Sequence, residues 1–179
     1  NIVYVGTGST GDGNGIYKST DAGKTWRHLP GFEDSGQIPA ILVDPHNPNL
    51  LLMSVLGSTR APSDRRGIYR STDGGETWTR TLAVDANTGT QSLAWAYDHP
   101  NVVLASTIQR ASRGTGSAAT ATAPAATGGT GLYKSTDQGL TWKPISGGGL
   151  PTALTGRLTV AVAMNTNAQR MFVVGPAQV

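Results

Sequence analysis

The chain has 179 residues, a formal net charge of +3 and no cysteine, and 14% of its residues are charged. Without cysteine there are no disulfides, no thiolate nucleophile and no zinc–thiolate site, and the singly scattered Lys and Arg residues offer no basic stripe for nucleic acid. The 24 glycines are typical of a turn-rich, all-β protein. No apolar run approaches the ~18 residues of a membrane-spanning helix.

The sequence opens inside a predicted strand, residues 1–6, which is followed by Gly6-Thr7-Gly8-Ser9-Thr10-Gly11. This matches the G-x-G-x-x-G pattern of dinucleotide-binding loops, but that chemistry requires a helix next, to hold the pyrophosphate. Another turn, Asp12-Gly13-Asn14-Gly15, comes instead. We therefore predict no helix within residues 8–19 and no nucleotide site. The turn also lacks the further oxygens and the distal Glu of an EF-hand calcium loop.

One motif, Ser-Thr-Asp-x-Gly-x-Thr-Trp, occurs three times, each time after a strand of alternating pattern. Its aspartates lie 52 and 64 residues apart, so the chain is built from internal repeats. The repeated positions are Ser19, Asp21, Gly23, Thr25 and Trp26, then Ser71, Asp73, Gly75, Thr77 and Trp78, and last Ser135, Asp137, Gly139, Thr141 and Trp142.

A second motif recurs with the same period. Val43-Asp44-Pro45-His46-Asn47-Pro48 is matched to Tyr97-Asp98-His99-Pro100 and to a decayed copy, Met164-Asn165-Thr166-Asn167, and an apolar strand follows each. Each repeat then contains four strands, with this Asp-Pro turn between the first two and the thrice-repeated motif between the last two. Four strands in each ~40–50 residues predict the blades of a β-propeller.

The predicted fold is therefore all-β: a β-propeller segment of about three to four antiparallel, four-stranded blades in an incomplete ring. Residues 1–37 form the end of a blade, 38–90 a blade, 91–157 a blade with a flexible loop insert at 111–130, and 158–179 the start of a blade. Propellers close with about four to eight blades. We expect a longer polypeptide to supply the remaining blades, or, as the alternative, other chains to complete the ring.

We interpret the repeated motif as scaffold rather than catalytic machinery. Asp and Ser side chains bond backbone N–H groups a few residues on, Gly supplies the positive φ of a tight hairpin, and Trp fills the space between blades. A catalytic group is needed once, whereas a turn is needed in every blade. We expect Trp26, Trp78 and Trp142 to be equivalent and largely buried, and Trp95 to be buried on an inner strand.

The motif resembles the Asp box, or BNR repeat, of bacterial sialidases, xyloglucanases and the Vps10 domain of sortilins. Segments such as Val55-Leu56-Gly57 and Gly129-Thr130-Gly131-Leu132-Tyr133 resemble bacterial exported propellers of sortilin-like or BNR-repeat glycosyl-hydrolase-like type. The resemblance covers nearly the whole chain and implies a secreted, cell-surface or periplasmic protein. It transfers no catalytic residue: Arg157 and Arg170 do not form the arginine motif of sialidases, and the loop acids Asp34, Asp64 and Asp85 match no xyloglucanase motif.

Ligand binding is expected on the face opposite the Asp boxes, because function concentrates in variable loops on a rigid scaffold. The short repeated turns lie on one face, the box face. The long, dissimilar loops, such as 56–66 and 108–130, lie on the other, the long-loop face. Gln37 and Gln91 each lie seven residues before an Asp-Pro turn aspartate, at the predicted entry to an inner strand, where strand capping is the alternative role. The candidate binding residues are Arg60, Asp64, Arg65, Arg66, Gln37 and Gln91.

Two functions remain open. The leading one is a non-catalytic, exported binding module or scaffold that recognises a protein, peptide or glycan through the long-loop face. The alternative is a glycoside hydrolase, xyloglucanase-like or sialidase-like, whose catalytic acids lie partly outside this sequence. We expect no cofactor, no nucleic-acid partner and no metal, since His28, His46 and His99 lack metal-ligand spacing.

Overall fold

The computed structural model describes residues 1–8, 13–110, 129–151 and 153–176, so most of the predicted insert at 111–130 lies outside the described residues. These four ranges contain strands and turns and no helix, which confirms the all-β prediction. Within 8–19, residues 8 and 13–15 are irregular backbone and residues 16–19 are strand, so the described part of this segment contains no helix. None of the described segments is a helix that could cross a membrane.

The strands form four antiparallel sheets, ordered β1-β2-β3, β4-β5-β6-β7, β8-β9-β10-β11 and β12-β13. Their bounds are β1 Val3–Gly6, β2 Ile16–Ser19, β3 Arg27–Leu29, β4 Ala40–Val43, β5 Leu51–Val55, β6 Gly67–Ser71, β7 Thr79–Leu82, β8 Thr88–Trp95, β9 Val103–Gln109, β10 Gly131–Ser135, β11 Lys143–Ile145, β12 Thr159–Val162 and β13 Met171–Val174. The third sheet begins at Thr88, ahead of the boundary drawn from sequence at residue 91.

The four sheets stack in chain order and do not close on themselves. The first sheet contacts the second, the second contacts the third, and the third contacts the fourth, whereas no contact joins the first and fourth among the residues described. The first sheet holds the second to fourth strands of a blade, because Val3 pairs with Ser19 as Leu51 pairs with Ser71. The prediction of an open propeller segment is confirmed.

Apolar clusters fill the space between successive sheets. β5 is buried on both faces, because its alternating side chains reach both neighbours: Met53 packs with Ile16 and Leu29 of the first sheet, and Leu52 packs with Val103 of the third. A further cluster joins the third and fourth sheets. The two end sheets show apolar side chains to solvent, namely Ile2, Val3 and Val5 on the first and Phe172, Val173 and Val174 on the last.

Two of the three box tryptophans pack toward the preceding sheet, and this corrects one expectation. Trp78 packs against the cluster between the first and second sheets, and Trp142 against the cluster between the second and third; both are half-buried. Trp26 is 43% exposed, because no sheet precedes its own among the described residues. The prediction of three equivalent, largely buried tryptophans is therefore wrong. Trp95 is half-buried, with its Nε1 donating to the Pro100 carbonyl at 2.5 Å.

The second repeated motif has a different register in the structure. The Asp44 N–H bonds the Leu50 carbonyl, and the matching bond runs from Ala96 to Val102, so Ala96 rather than Asp98 is the counterpart of Asp44. Asp44 caps its own turn by accepting from the N–H groups of His46 and Asn47 at 2.7 and 3.0 Å.

Asp98 instead caps the turn of the next sheet. Its Oδ2 accepts from the backbone N–H groups of Thr166 and Asn167 at 3.0 and 3.1 Å. The decayed copy at 164–167 has no acid of its own, so the preceding sheet supplies the carboxylate.

Candidate functional site

Each Asp box is a closed set of short hydrogen bonds. In the second box, Ser71 Oγ donates to Asp73 Oδ1 at 2.7 Å and accepts from the Gly75 N–H at 2.9 Å. The Thr77 N–H and hydroxyl donate to Asp73 Oδ1 and Oδ2 at 2.9 and 2.5 Å. Gly75 has a φ of 88°, which glycine adopts without strain. The same bonds recur in the other two boxes at similar lengths.

These bonds keep the box carboxylates ionised. The Thr77 hydroxyl and then its N–H lower the pKa of Asp73 to about 2, and the Thr25 N–H and hydroxyl lower the pKa of Asp21 to about 2. Burial raises the pKa of Asp137, but the box hydrogen bonds outweigh it and bring that pKa to about 2 as well. A carboxylate with both oxygens occupied is poorly placed to transfer protons, which supports a scaffold role.

The lowered pKa values predict a loss of stability in acid. A carboxyl group whose pKa falls on folding contributes stability above its unfolded pKa, here 3.8, and loses it as the pH falls toward the folded value of about 2. We expect the urea midpoint to hold from about pH 7 to about pH 5 and to fall between about pH 4 and pH 2. In Asp73→Asn that fall should be smaller, whereas Asp64→Asn, a loop control, should follow the wild type. Identical pH profiles for Asp73→Asn and the wild type would contradict the assignment.

The four stacked sheets form an array whose box face and long-loop face differ in structure. On the box face the Asp-box turns lie beside the turns between the first two strands, since the Gly74 N–H donates to Asn49 O at 2.9 Å and the Gln138 N–H to Asn101 O at 3.0 Å. At the other strand ends, loop 56–66 contacts loop 83–87 through a 2.9 Å bond from the Ser63 N–H to Ala86 O. These two loops belong to the long-loop face.

Arg66 holds this loop cluster together and is not exposed to ligand. Its side chain is 3% exposed, and its guanidinium donates to four backbone carbonyls. The acceptors are Ala86 at 2.8 Å, Ser58 at 2.6 Å, Ala61 at 3.1 Å and Leu56. Its expected role as a ligand contact is therefore replaced by a structural one, because the N–H groups that would bind a ligand already bind the loop.

Gln37 and Gln91 occupy unlike positions. Gln37 is 6% exposed and forms a β-bridge with Gly57 just before β4. Gln91 lies inside β8, at a bulge between Thr90 and Ser92. The equal spacing seen in the sequence does not make the two equivalent, because it is counted to Asp98, which is not the counterpart of Asp44, and because Gln91 is the extra residue of the bulge. Gln91 Oε1 is buried and has no hydrogen-bond partner in the part of the chain that is described.

The other three predicted residues lie on the long-loop face. Arg60 and Asp64 are exposed. Arg65 is half-buried and pairs with Asp34, its Nε lying 3.0 Å from Asp34 Oδ1. Of the remaining loop acids, Asp85 caps its own turn, accepting from the Asn87 N–H at 2.7 Å.

Two arginines on this face were not among the predicted site residues. Arg110 follows β9, and its N–H donates to Asn87 O at 2.9 Å. Burial and then the positive charge of Arg157 lower the pKa of Arg110. Burial and then the charge of Arg110 lower the pKa of Arg66 in turn. Arg66, Arg110 and Arg157 thus belong to three successive sheets, and the charge of each later one acts on the one before it, a relation that no local sequence pattern records.

No group of three or more His, Cys, Asp or Glu side chains that could hold a metal ion occurs within the described ranges. His28, for example, has its Nε2 2.7 Å from the Asn14 carbonyl. The described part of the face offers arginine, and two of its three loop acids are engaged, Asp34 in an ion pair and Asp85 in a turn, whereas Asp64 is exposed.

Known structures support the fold. An ancestral GH74 enzyme is 16% identical with a TM-score of 0.65, and the match covers 97% of this chain and 21% of that one. The GH74 enzyme of Niastella koreensis is 22% identical with a TM-score of 0.57, and the match covers 83% of this chain and 20% of that one. YCF48 from Cyanidioschyzon merolae is 16% identical with a TM-score of 0.54, and the match covers 96% of this chain and 47% of that one. At these identities the similarity shows the β-propeller fold alone, and this chain spans about one fifth of the length of the GH74 enzymes.

Sequence comparison gives the family. No curated protein matches the sequence. The family model described as "Sortilin, neurotensin receptor 3" matches residues 14–166, which include all three Asp boxes and most of the strands described above. This agrees with the resemblance to sortilin-like propellers and confirms it. The chain belongs to the sortilin, or Vps10, family.

Proposed function

We propose that this chain is a non-catalytic, exported binding module that recognises an acidic group on a protein, peptide or glycan through its long-loop face. The observation that carries the proposal is the placement of Arg110 and Arg157 at the long-loop ends of β9 and β12 in neighbouring sheets, with the buried Arg110 Nε lacking a hydrogen-bond partner among the described residues. Guanidinium groups bind carboxylates and sulfates in a forked geometry, and clustered positive charge steers acidic ligands toward a surface.

Two of the three loop acids of this face support the same proposal. Asp34 is paired with Arg65, and Asp85 caps its own turn. Neither is left to neutralise Arg157, which is exposed. The loop beside this cluster is held by Arg66, so ordering it costs little when a ligand binds.

A glycoside hydrolase is the second candidate, and the structural similarity to GH74 enzymes favours it. Such an enzyme uses two carboxyl groups on opposite sides of the scissile bond. Because Asp34 and Asp85 have structural partners, at least one catalytic acid would come from outside these residues. Hydrolysis of xyloglucan by a longer protein, lost on replacing such an acid, would establish this alternative.

We also propose further propeller blades as partners, supplied by the same longer polypeptide or by other chains. The exposed apolar side chains of Val5 and Trp26 on the first sheet, and of Phe172 and Val174 on the last, support this. Faces of this kind are covered by neighbouring sheets elsewhere in the array.

The binding proposal is tested by titrating the protein with a glutamate-rich peptide and with a uronic-acid oligosaccharide while recording amide NMR shifts. We expect shifts centred on Arg110 and Arg157, and binding at least about tenfold weaker in Arg157→Ala than in the wild type. Lys24→Ala, on the box face, is the matched control and should bind normally. Equal losses in both variants, or shifts confined to the box face, would refute the face assignment.

A further inference from the structure

Successive sheets are joined by a repeated polar contact beside the Asp boxes. In the first sheet, Lys18 Nζ donates to the Gly74 carbonyl of the second box at 2.8 Å. In the second sheet, Arg70 Nε donates to the Gln138 carbonyl of the third box at 3.1 Å. Lys18 and Arg70 each lie three residues before their own box aspartate, so they are equivalent cations. We call the junction of the first and second sheets the first seam and that of the second and third sheets the second seam.

At the first seam a carboxylate neutralises this cation. Glu76 Oε1 lies 3.0 Å from Lys18 Nζ and 2.5 Å from an Arg27 nitrogen. The hydrogen bonds from Arg27 and then Lys18 lower the pKa of Glu76, so its carboxylate stays charged between the two cations.

At the second seam the carboxylate is missing. The residue equivalent to Glu76 is Leu140, and the residue equivalent to Arg27 is Thr79. Arg70 remains, yet no carboxylate within the described ranges lies at ion-pair distance from it. A cleft of about 110 Å³ opens here, lined by Arg70, Thr72, Thr77, Thr79, Thr81 and Leu140.

The cleft walls hold donors that are not engaged elsewhere. Thr77 already donates to Asp73, and Thr81 accepts from Trp142 Nε1 at 3.1 Å. Thr79, by contrast, has no side-chain hydrogen bond to the described protein, and the same holds for Thr72. Arg70 uses only Nε within the described protein, which leaves its other N–H groups for an acceptor.

We propose that this cleft binds the carboxylate group of an external ligand, in the place that Glu76 fills at the first seam. A guanidinium with two hydroxyls beside it matches the planar, doubly accepting carboxylate. The cleft is small, so the carboxylate itself enters while the rest of the ligand lies outside against Leu140, which is 56% exposed. The site is on the box face and does not depend on the function proposed for the long-loop face.

The probes are acetate, glucuronate and glucose, each titrated at constant ionic strength while the Arg70 side-chain Nε–H signal is followed by NMR. We expect saturable shifts with both carboxylates, at dissociation constants of roughly 1–100 mM, and none with glucose. Glucuronate binding about tenfold tighter than acetate would identify an acidic sugar as the source, and equal affinities would identify the carboxylate alone. Absence of a saturable Arg70 shift with either carboxylate would overturn the proposal.

The comparison between seams gives matched variants. Leu140→Glu should supply an internal carboxylate to Arg70 and weaken acetate binding at least about tenfold, whereas Leu140→Gln, similar in size but neutral, should retain it. Glu76→Leu should create a second acetate site at Lys18 and Arg27, a gain that general loss of structure does not produce. Undiminished acetate binding in Leu140→Glu, or no new site in Glu76→Leu, would contradict the inferred equivalence.

Discussion

Replacing Arg66 with alanine should lower the free energy of unfolding by about 3–5 kcal/mol, because several carbonyls lose their donor and each buried one left unsatisfied costs about 1–3 kcal/mol. The guanidinium is 3% exposed and donates to four carbonyls of two loops. Alanine would leave the buried Leu56 carbonyl and three partly buried carbonyls without their donor, and unsatisfied buried acceptors are costly. Urea denaturation followed by tryptophan fluorescence measures the change.

Two variants control for charge and position. Arg66→Lys keeps the charge but loses the planar fork, so it should recover only a small part of the stability. Arg65→Ala removes the neighbouring ion pair with Asp34, in which both side chains are substantially exposed, and should cost no more than about 1 kcal/mol. If Arg66→Ala and Arg65→Ala had the same small effect, Arg66 would not be the support of these loops.

Trp78→Ala should cost about 2–4 kcal/mol, somewhat below the range for a fully buried tryptophan, because the ring is half-buried. Its indole lies edge-on to Phe32, with ring centroids 6.1 Å apart, and packs in the cluster that joins the first and second sheets. Its Nε1 also donates to the Gly75 carbonyl at 3.0 Å. The substitution therefore removes packing between sheets as well as a contact within the box.

Trp26→Ala is the matched control, since Trp26 makes the same local bond, to Gly23 O at 3.1 Å, but is 43% exposed. It should cost less than about 1 kcal/mol. The difference between the two variants isolates the packing between sheets from the turn itself. Equal losses would show that the tryptophan acts within its own turn and does not join the sheets.

The Asp boxes and the blade pattern could be predicted because their determinants are local. Ser71, Asp73 and Thr77 bond one another within a few residues, so the motif alone specifies the turn. The environment of Trp26 could not be predicted in this way, because it depends on whether another sheet packs on its own. The placement of Arg110 and Arg157 at the ends of β9 and β12 on one face likewise depends on how successive sheets stack.

The candidate site was harder to predict than the fold for the same reason. The pair Arg65 and Arg66 is adjacent in sequence, yet one side chain forms a surface ion pair and the other is enclosed by carbonyls. The spacing of Gln37 and Gln91 suggested equivalence, but Ala96 rather than Asp98 is the counterpart of Asp44, and Gln91 is the extra residue of the bulge in β8. A single extra residue is enough to change which side chain reaches a given face.

The cap that Asp98 provides to the turn of the following sheet limits how this repeat array can change by duplication or deletion. Units that each satisfy their own turns can be copied or removed one at a time. The unit beginning at β12 cannot be moved in this way, because the amides of Thr166 and Asn167 rely on a carboxylate inherited from the unit before it. A recombination event that separated the two would remove this cap and leave the amides of Thr166 and Asn167 to solvent, so the last two sheets are coupled through a side chain that only one of them carries.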